Sequence, residues 1–295
     1  MLANSSGDEP AAILNRNNAN LTINNKNNEF NRLHRETLTV LNGLKRMDKP
    51  IAIEELNSVD INSNSVIVVG GTFTEKRFTA SNGVTVSYYL YVPKVKDSST
   101  KLPILTYFHG IQDTVKRNEN NNFKYGGGLA GLIETGKLNP KGIVIFPQAE
   151  NGTADRDFYS KPYQEAVIEL IKTTAKDYNG DLNRASVAGH SNGGAAAQHI
   201  VNNYPGFFAA TALMGISSNA KEGIARTNLY ALVGAKDHTM NGYGRAIGYA
   251  QKNNKMYKVY NMGHDIQTIA FQEPVEDENG NSVMLVDWLM SKTLA

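Results

Sequence analysis

Cysteine is absent from the 295-residue chain. Disulfides, thiolate-held metal sites and a cysteine nucleophile are therefore excluded together. Long hydrophobic runs are missing too. No stretch of about 18 apolar residues could cross a membrane, and residues 1–25 hold no apolar segment of the kind that drives secretion. The expectation is a soluble chain without a signal peptide, cytoplasmic unless it joins a larger assembly. Nor does charge of one sign dominate. The 30 Lys and Arg against 28 Asp and Glu leave a net charge of +2, which gives no electrostatic reason to bind nucleic acid or a membrane surface. What is present is 41% hydrophobic residues, enough for one large core.

That material is unevenly spread. Ten of the first 31 residues are asparagine, and little among them can be buried. Phe30, Leu33, Thr37, Val40, Leu44 and Met47 then follow at spacings of three and four, the seam of a short coiled coil or of one amphipathic helix. Leu38 and Leu41 broaden that stripe, Gly43 weakens it and Pro50 ends it. Residues 1–50 thus read as an Asn-rich leader with an attachment helix, its residues 30–47 pointing to an oligomer or an assembly partner. Residues 51–64 read as a polar connector, and residues 65–295 as the main domain.

In the main domain, Arg77–Ala80 and Val84–Pro93 flank Ser81-Asn82-Gly83, the signature of a hairpin. Leu102–Phe108, Gly142–Phe146, Ala185–Ala188, Leu229–Gly234 and Met256–Tyr260 read as strands. Helical spacing runs through Tyr163, Ala166, Val167, Leu170, Ile171, Thr174 and Tyr178. Antiparallel strands first and β/α alternation afterwards predict an α/β fold, a mostly parallel sheet with helices on both faces.

Gly189-His190-Ser191-Asn192-Gly193 stands between the Ala185–Ala188 strand and a helix beginning near Gly194. A sharp strand-to-helix turn of this kind strains its central residue and lifts that side chain above the sheet, and only small residues fit beside it. Ser191 is thereby left exposed near a helix N-terminus, where a nucleophile would sit. A serine nucleophile needs a histidine to take its proton and a carboxylate to hold the histidine. Ala235-Lys236-Asp237-His238 follows one strand, and Asn261-Met262-Gly263-His264-Asp265 follows the next. Asp237 and His264 therefore fall at the same sheet edge as Ser191. Asp265 and Glu273 are the fallback acids, and His238 is the competing base, poorly placed to turn back onto its own neighbour. The Leu102–Phe108 strand ends in His109-Gly110-Ile111. A turn of that form supplies one backbone N–H to an oxyanion and the residue after the nucleophile supplies another, which points to Ile111 and Asn192. His109 reads as a brace for that turn and His190 as a structural or pocket-lining residue. Phe123 and Tyr125, beside Gly126-Gly127-Gly128, are candidate pocket walls. His34 and His199 read as ordinary surface or helix residues.

These motifs resemble the serine-esterase branch of the α/β-hydrolases, which includes feruloyl and acetylxylan esterases and polyhydroxybutyrate depolymerase-like proteins. The matching pieces are Tyr107-Phe108-His109-Gly110, Gly189–Gly194, Val233–Asp237 and Met262–Asp265, with a closing helix over Val283–Leu294. Relatives carry an aromatic residue a few positions after the histidine, where this chain has Ile266-Gln267-Thr268. The resemblance implies an α/β-hydrolase fold and ester hydrolysis through an acyl-enzyme on Ser191, with no metal or other cofactor. A peptidase or amidase of the same fold is the nearest alternative, and the absence of room for a propeller or lid domain favours esters. A helix placed ahead of an enzymatic domain also resembles bacteriophage tail and baseplate proteins that carry esterases. Under that resemblance the substrate is an acylated polysaccharide or a teichoic acid, and the chain is a virion component. A mainly structural or adhesive assembly protein is the alternative from another class.

Overall fold

The computed structural model describes residues 65–68, 70–95, 99–110, 128–149, 158–216, 222–238 and 243–294. The leader and attachment helix expected over 1–50 and the connector over 51–64 lie outside them. The described residues build a nine-stranded sheet in the order β1-β2-β3-β5-β4-β6-β7-β8-β9. Strands β1 (Ser65–Val68), β2 (Gly71–Thr79) and β3 (Thr85–Pro93) pair antiparallel, and β3 runs antiparallel to β5 (Ile143–Pro147). From there the sheet is parallel through β4 (Leu102–Phe108), β6 (Gly180–His190), β7 (Ala210–Met214), β8 (Asn228–Gly234) and β9 (Met256–Tyr260). This is the α/β-hydrolase arrangement.

The β2–β3 hairpin forms where Asn-Gly predicts it. Gly83 takes a positive φ of 80°, and Asn82 Oδ1 accepts from the Val84 N–H at 3.1 Å. The Asn82 amide also donates to the Pro162 carbonyl at 2.9 Å, which ties the turn to the start of α2.

Every residue of β4 is buried, and its side chains alternate between two cores. Ile104 and Phe108 join the cluster under α2 (Lys161–Asp177) and α3 (Asn192–Asn203). Leu105 and Tyr107 join the opposite cluster, under α1 (Leu129–Glu134) and α6 (Leu285–Ser291). A strand buried on both faces has no polar side, which explains its continuous apolar run. Each such Leu, Ile or Phe contributes about 1.5–3 kcal/mol by leaving water. Helix α4 (Glu222–Arg226) lies between β7 and β8, and α5 (Tyr243–Lys252) between β8 and β9.

Strands β2 and β6 extend beyond the residues expected for them, to Gly71–Thr79 and Gly180–His190, and two further elements differ in kind. Strand β7 has no counterpart in it, because Ala-Thr-Ala-Leu-Met has no strand signature of its own. It is extended because β6 and β8 pair with it on either side, and all five of its residues are buried. The closing helix spans Leu285–Ser291 instead of Val283–Leu294. Ser282–Met284 forms β11, paired with β10 (Pro274–Glu276) across a turn in which Gly280 has φ 78°. Asp277 Oδ1 holds that turn by accepting from the Asn279 and Asn281 N–H groups at 2.9 and 2.8 Å.

Candidate active site

The site forms along the carboxyl edge of the parallel strands. Strand β6 ends at His190 and α3 begins at Asn192, so one residue carries the whole reversal. That residue is Ser191, with φ 54° and ψ −121°. Few non-glycine residues occupy this part of conformational space. Close backbone approach makes the flanking glycines necessary. A Cβ on Gly189 would lie 2.2 Å from the Gly193 carbonyl oxygen, and one on Gly193 would lie 2.1 Å from the Phe108 carbonyl oxygen. The Ser191 N–H donates to the Met214 carbonyl at 2.8 Å, which anchors the elbow on β7.

Ser191 Oγ lies 2.7 Å from His264 Nε2, and His264 Nδ1 lies 2.6 Å from Asp237 Oδ2. The serine hydroxyl donates to Nε2, and Nδ1–H donates to the carboxylate. The Asp237 side chain is only 4% exposed, so water screens the pair weakly. The structure thus brings together Ser191, His264 and Asp237. His238 is exposed, as are Asp265 and Glu273, and Glu273 pairs with Lys258 at 3.6 Å.

The loops bearing Asp237 and His264 are joined through their backbones. Ala235 N–H donates to the Tyr260 carbonyl at 2.8 Å and Lys236 N–H to that of Met262 at 2.9 Å. Gly234 lies so close beneath the second loop that a Cβ there would fall 2.0 Å from the Gly263 carbonyl oxygen.

Asn192 opens α3, so its N–H stands at a helix N-terminus directly after the serine. Ile111, Phe123 and Tyr125 lie outside the described residues. His109 is buried, and its ring has one consistent tautomer. Nε2 accepts from the Ala149 N–H at 3.2 Å, so Nδ1 carries the hydrogen and donates to the Gly110 carbonyl at 2.8 Å. It ties the end of β4 to the chain leaving β5. Burial lowers its pKa to about 4, against a backbone hydrogen bond that raises it. His190 is buried too, beside His264, with its pKa lowered to about 4 by burial. His199 is exposed on α3, where Tyr159 stacks on it at 5.0 Å.

Two neighbours escaped the sequence reading. Tyr159 donates its hydroxyl to the Asn192 side-chain oxygen and to its carbonyl oxygen, reaching the residue after the serine from outside α3. Gly215 lies beneath the rings of both His190 and His264. Neither carries a spacing signal, since each meets the elbow only through the fold. Among the described residues no group of three or more His, Asp and Glu is placed to hold a metal ion, and no helix is long and apolar enough to cross a membrane.

The fold has counterparts among known proteins. No curated protein matches the chain in sequence. Among solved structures, a thermostable esterase superposes with a TM-score of 0.58 at 18% identity, covering 75% of this chain. The chain spans 63% of that esterase's length. A ferulic acid esterase superposes at 0.54 with 15% identity, covering 74% of this chain and 97% of its own. The fluorophosphonate-binding serine hydrolase F of Staphylococcus aureus superposes at 0.51 with 15% identity, covering 66% of this chain and 92% of its own. These likenesses establish the fold. The Esterase family model, described as "Putative esterase", matches residues 80–261, more than half of the chain. The chain belongs to this Esterase family and is built on the α/β-hydrolase fold.

Proposed function

We propose that Ser191 is the nucleophile, His264 the general base and Asp237 the residue that orients it, and that the substrates are acyl esters of a carbohydrate or cell-surface polymer. The observation that carries the assignment is the unbroken hydrogen-bond chain from Ser191 Oγ through His264 to the buried Asp237 carboxylate. In the first half-reaction Ser191 Oγ attacks the ester carbonyl while His264 Nε2 takes the hydroxyl proton. The charge that develops on the imidazole faces Asp237. The negative charge on the carbonyl oxygen is met by the Asn192 N–H and, in our reading, by that of Ile111. His264 then returns the proton to the leaving alcohol, and water repeats the sequence to release the acid.

For the substrate, support comes from the resemblance to feruloyl and acetylxylan esterases and from the likeness to a ferulic acid esterase. We further propose that residues 1–50 are an attachment segment through which residues 30–47 join the enzyme to a larger assembly, such as a virion tail. Its support is the Asn-rich composition followed by apolar residues at spacings of three and four.

The test is fluorophosphonate labelling with peptide mapping, followed by a panel of soluble acyl esters, O-acetylated polysaccharides, acylated teichoic acid and peptide amides. A single adduct on Ser191 and deacylation of a polymer are expected. An unlabelled folded protein removes the catalytic assignment, and turnover of amides alone transfers it to peptidases. Light scattering on the full chain checks the attachment segment, and a strict monomer counts against self-association through it.

A further inference from the structure

His190 is 4% exposed, and its ring lies 4.7 Å from that of His264 at an interplanar angle of 49°. Its Nε2 is 2.8 Å from the main-chain carbonyl oxygen of His264. A carbonyl oxygen only accepts, so Nε2 must carry a hydrogen. We propose that His190 is a positioning residue for ester hydrolysis, its Nε2–H holding the backbone of His264 against the nucleophile elbow. This rests on the reading of Ser191 and His264 given above.

Two constraints on His264 are thereby separated. Asp237 meets the ring at Nδ1 and sets its direction. His190 meets the backbone, at a carbonyl that also accepts from the Ile266 N–H at 2.8 Å. That carbonyl is therefore held both by its own turn and by a side chain from β6, a strand separated from β9 by β7 and β8. The residue directly before the nucleophile thus grips the loop that carries the base. Any shift of that loop changes the distance from Nε2 to Ser191 Oγ.

The same placement requires His190 to be uncharged. His264 becomes an imidazolium in each half-reaction, and a second cationic ring at this distance would oppose it. Burial is the largest influence keeping His190 neutral, and His264 acts in the same direction. The hydrogen bond to the His264 carbonyl and the carboxylates of Asp265 and Asp237 act against it. Just past β7 the ring meets Gly215, which brings no charge. With φ 64°, Gly215 leaves a space in which a Cβ would lie 3.2 Å from both His190 Nε2 and His264 Cε1.

The experiment compares wild type, Ser191→Ala, His190→Leu and His190→Gln on 4-nitrophenyl acetate. The Nε2 of glutamine is three bonds from Cβ, as in histidine, and donates to the same carbonyl. His190→Leu is expected to lower kcat roughly 10- to 100-fold, the scale of a misplaced catalytic group. Its KM should stay within about twofold, and His190→Gln should recover kcat to within about threefold of wild type. Equal losses in both variants, or full kcat in His190→Leu, overturn the proposal. A wild type no faster than Ser191→Ala instead removes the catalytic reading on which it rests. Because His190→Leu risks misfolding, nitrogen-15 NMR of the wild-type histidines provides an independent measurement. It should find His190 neutral with its hydrogen on Nε2 from about pH 5 to about pH 8. A charged ring there, or a hydrogen on Nδ1, overturns the proposal whatever the variants do.

Discussion

The Lys236 N–H donates to the Met262 carbonyl oxygen at 2.9 Å. This bond joins the turn that carries Asp237 to the loop that carries His264. The 2.6 Å contact between the two side chains is therefore set before substrate arrives, and catalytic hydrogen bonds are most effective when preorganised in this way.

On the role proposed for Asp237, removing its charge without its shape should cost turnover and little else. In Asp237→Asn the amide no longer stabilises the imidazolium and admits the wrong tautomer of His264. The expected loss in kcat is about three to four orders of magnitude, as in serine hydrolases whose acid is replaced by its amide. Steady-state kinetics read that loss, and thermal unfolding should move by only a few degrees. A loss below about tenfold would mean that Asp237 does not serve His264.

Ser191 should show a stability cost for its position. Its backbone lies at φ 54° and ψ −121°, where a Cβ is strained by about 1–3 kcal/mol. Ser191→Gly relieves that strain, and Ser191→Ala keeps it. Both variants are expected to be inactive, with the glycine variant more stable than the alanine variant by about 1 kcal/mol once the extra freedom of unfolded glycine is subtracted. Chemical denaturation of the pair decides it, and a glycine variant less stable than the alanine one contradicts strain at the elbow.

Gly193→Ala should damage fold and site together. Its Cβ would lie 2.1 Å from the Phe108 carbonyl oxygen and 2.4 Å from that of His109. Both contacts are backbone atoms at the end of β4, which cannot swing away like a side chain. A loss of roughly 2–4 kcal/mol is expected, with slower labelling of Ser191 by a fluorophosphonate. Labelling at the wild-type rate in a protein of unchanged melting temperature would contradict this packing.

Acid should unfold the protein through its buried histidines. His109 and His190 both fall from an ordinary 6.5 to about 4 in the folded chain, mainly through burial. Unfolded, each ring takes up a proton near pH 6.5; folded, it does so only near pH 4. Between those values the unfolded chain binds more protons, so stability falls as pH falls, and this contribution levels off below the folded pKa. Each ring accounts for about 3 kcal/mol across the window. Calorimetry from pH 7 to 4 should show a falling melting temperature, with a shallower fall in His190→Gln. A flat profile would mean that the rings are charged when folded.

Local chemistry made much of this molecule legible in advance. Strands β4 and β9 occupy the predicted residues because a run of apolar or alternating side chains has one comfortable conformation. Asn82-Gly83 turns where the backbone needs a positive φ, and Gly189 and Gly193 flank a reversal that leaves no room for a Cβ. The order of Ser191, Asp237 and His264 follows from the strands that precede them. Ala210–Met214 was not legible, because its extension is imposed by β6 and β8 on residues without a strand preference of their own. Tyr159 and Gly215 were equally hidden. One reaches Asn192 across 33 residues, and the other adjoins two rings, one from the end of β6 and one from the loop after β9. Periodicity and turn chemistry act between near neighbours along the chain, so they specify the elements and the residue types at their ends. The 2.8 Å grip of His190 on the loop of His264 joins positions 74 residues apart, and only the packed order of β6 to β9 brings them into reach.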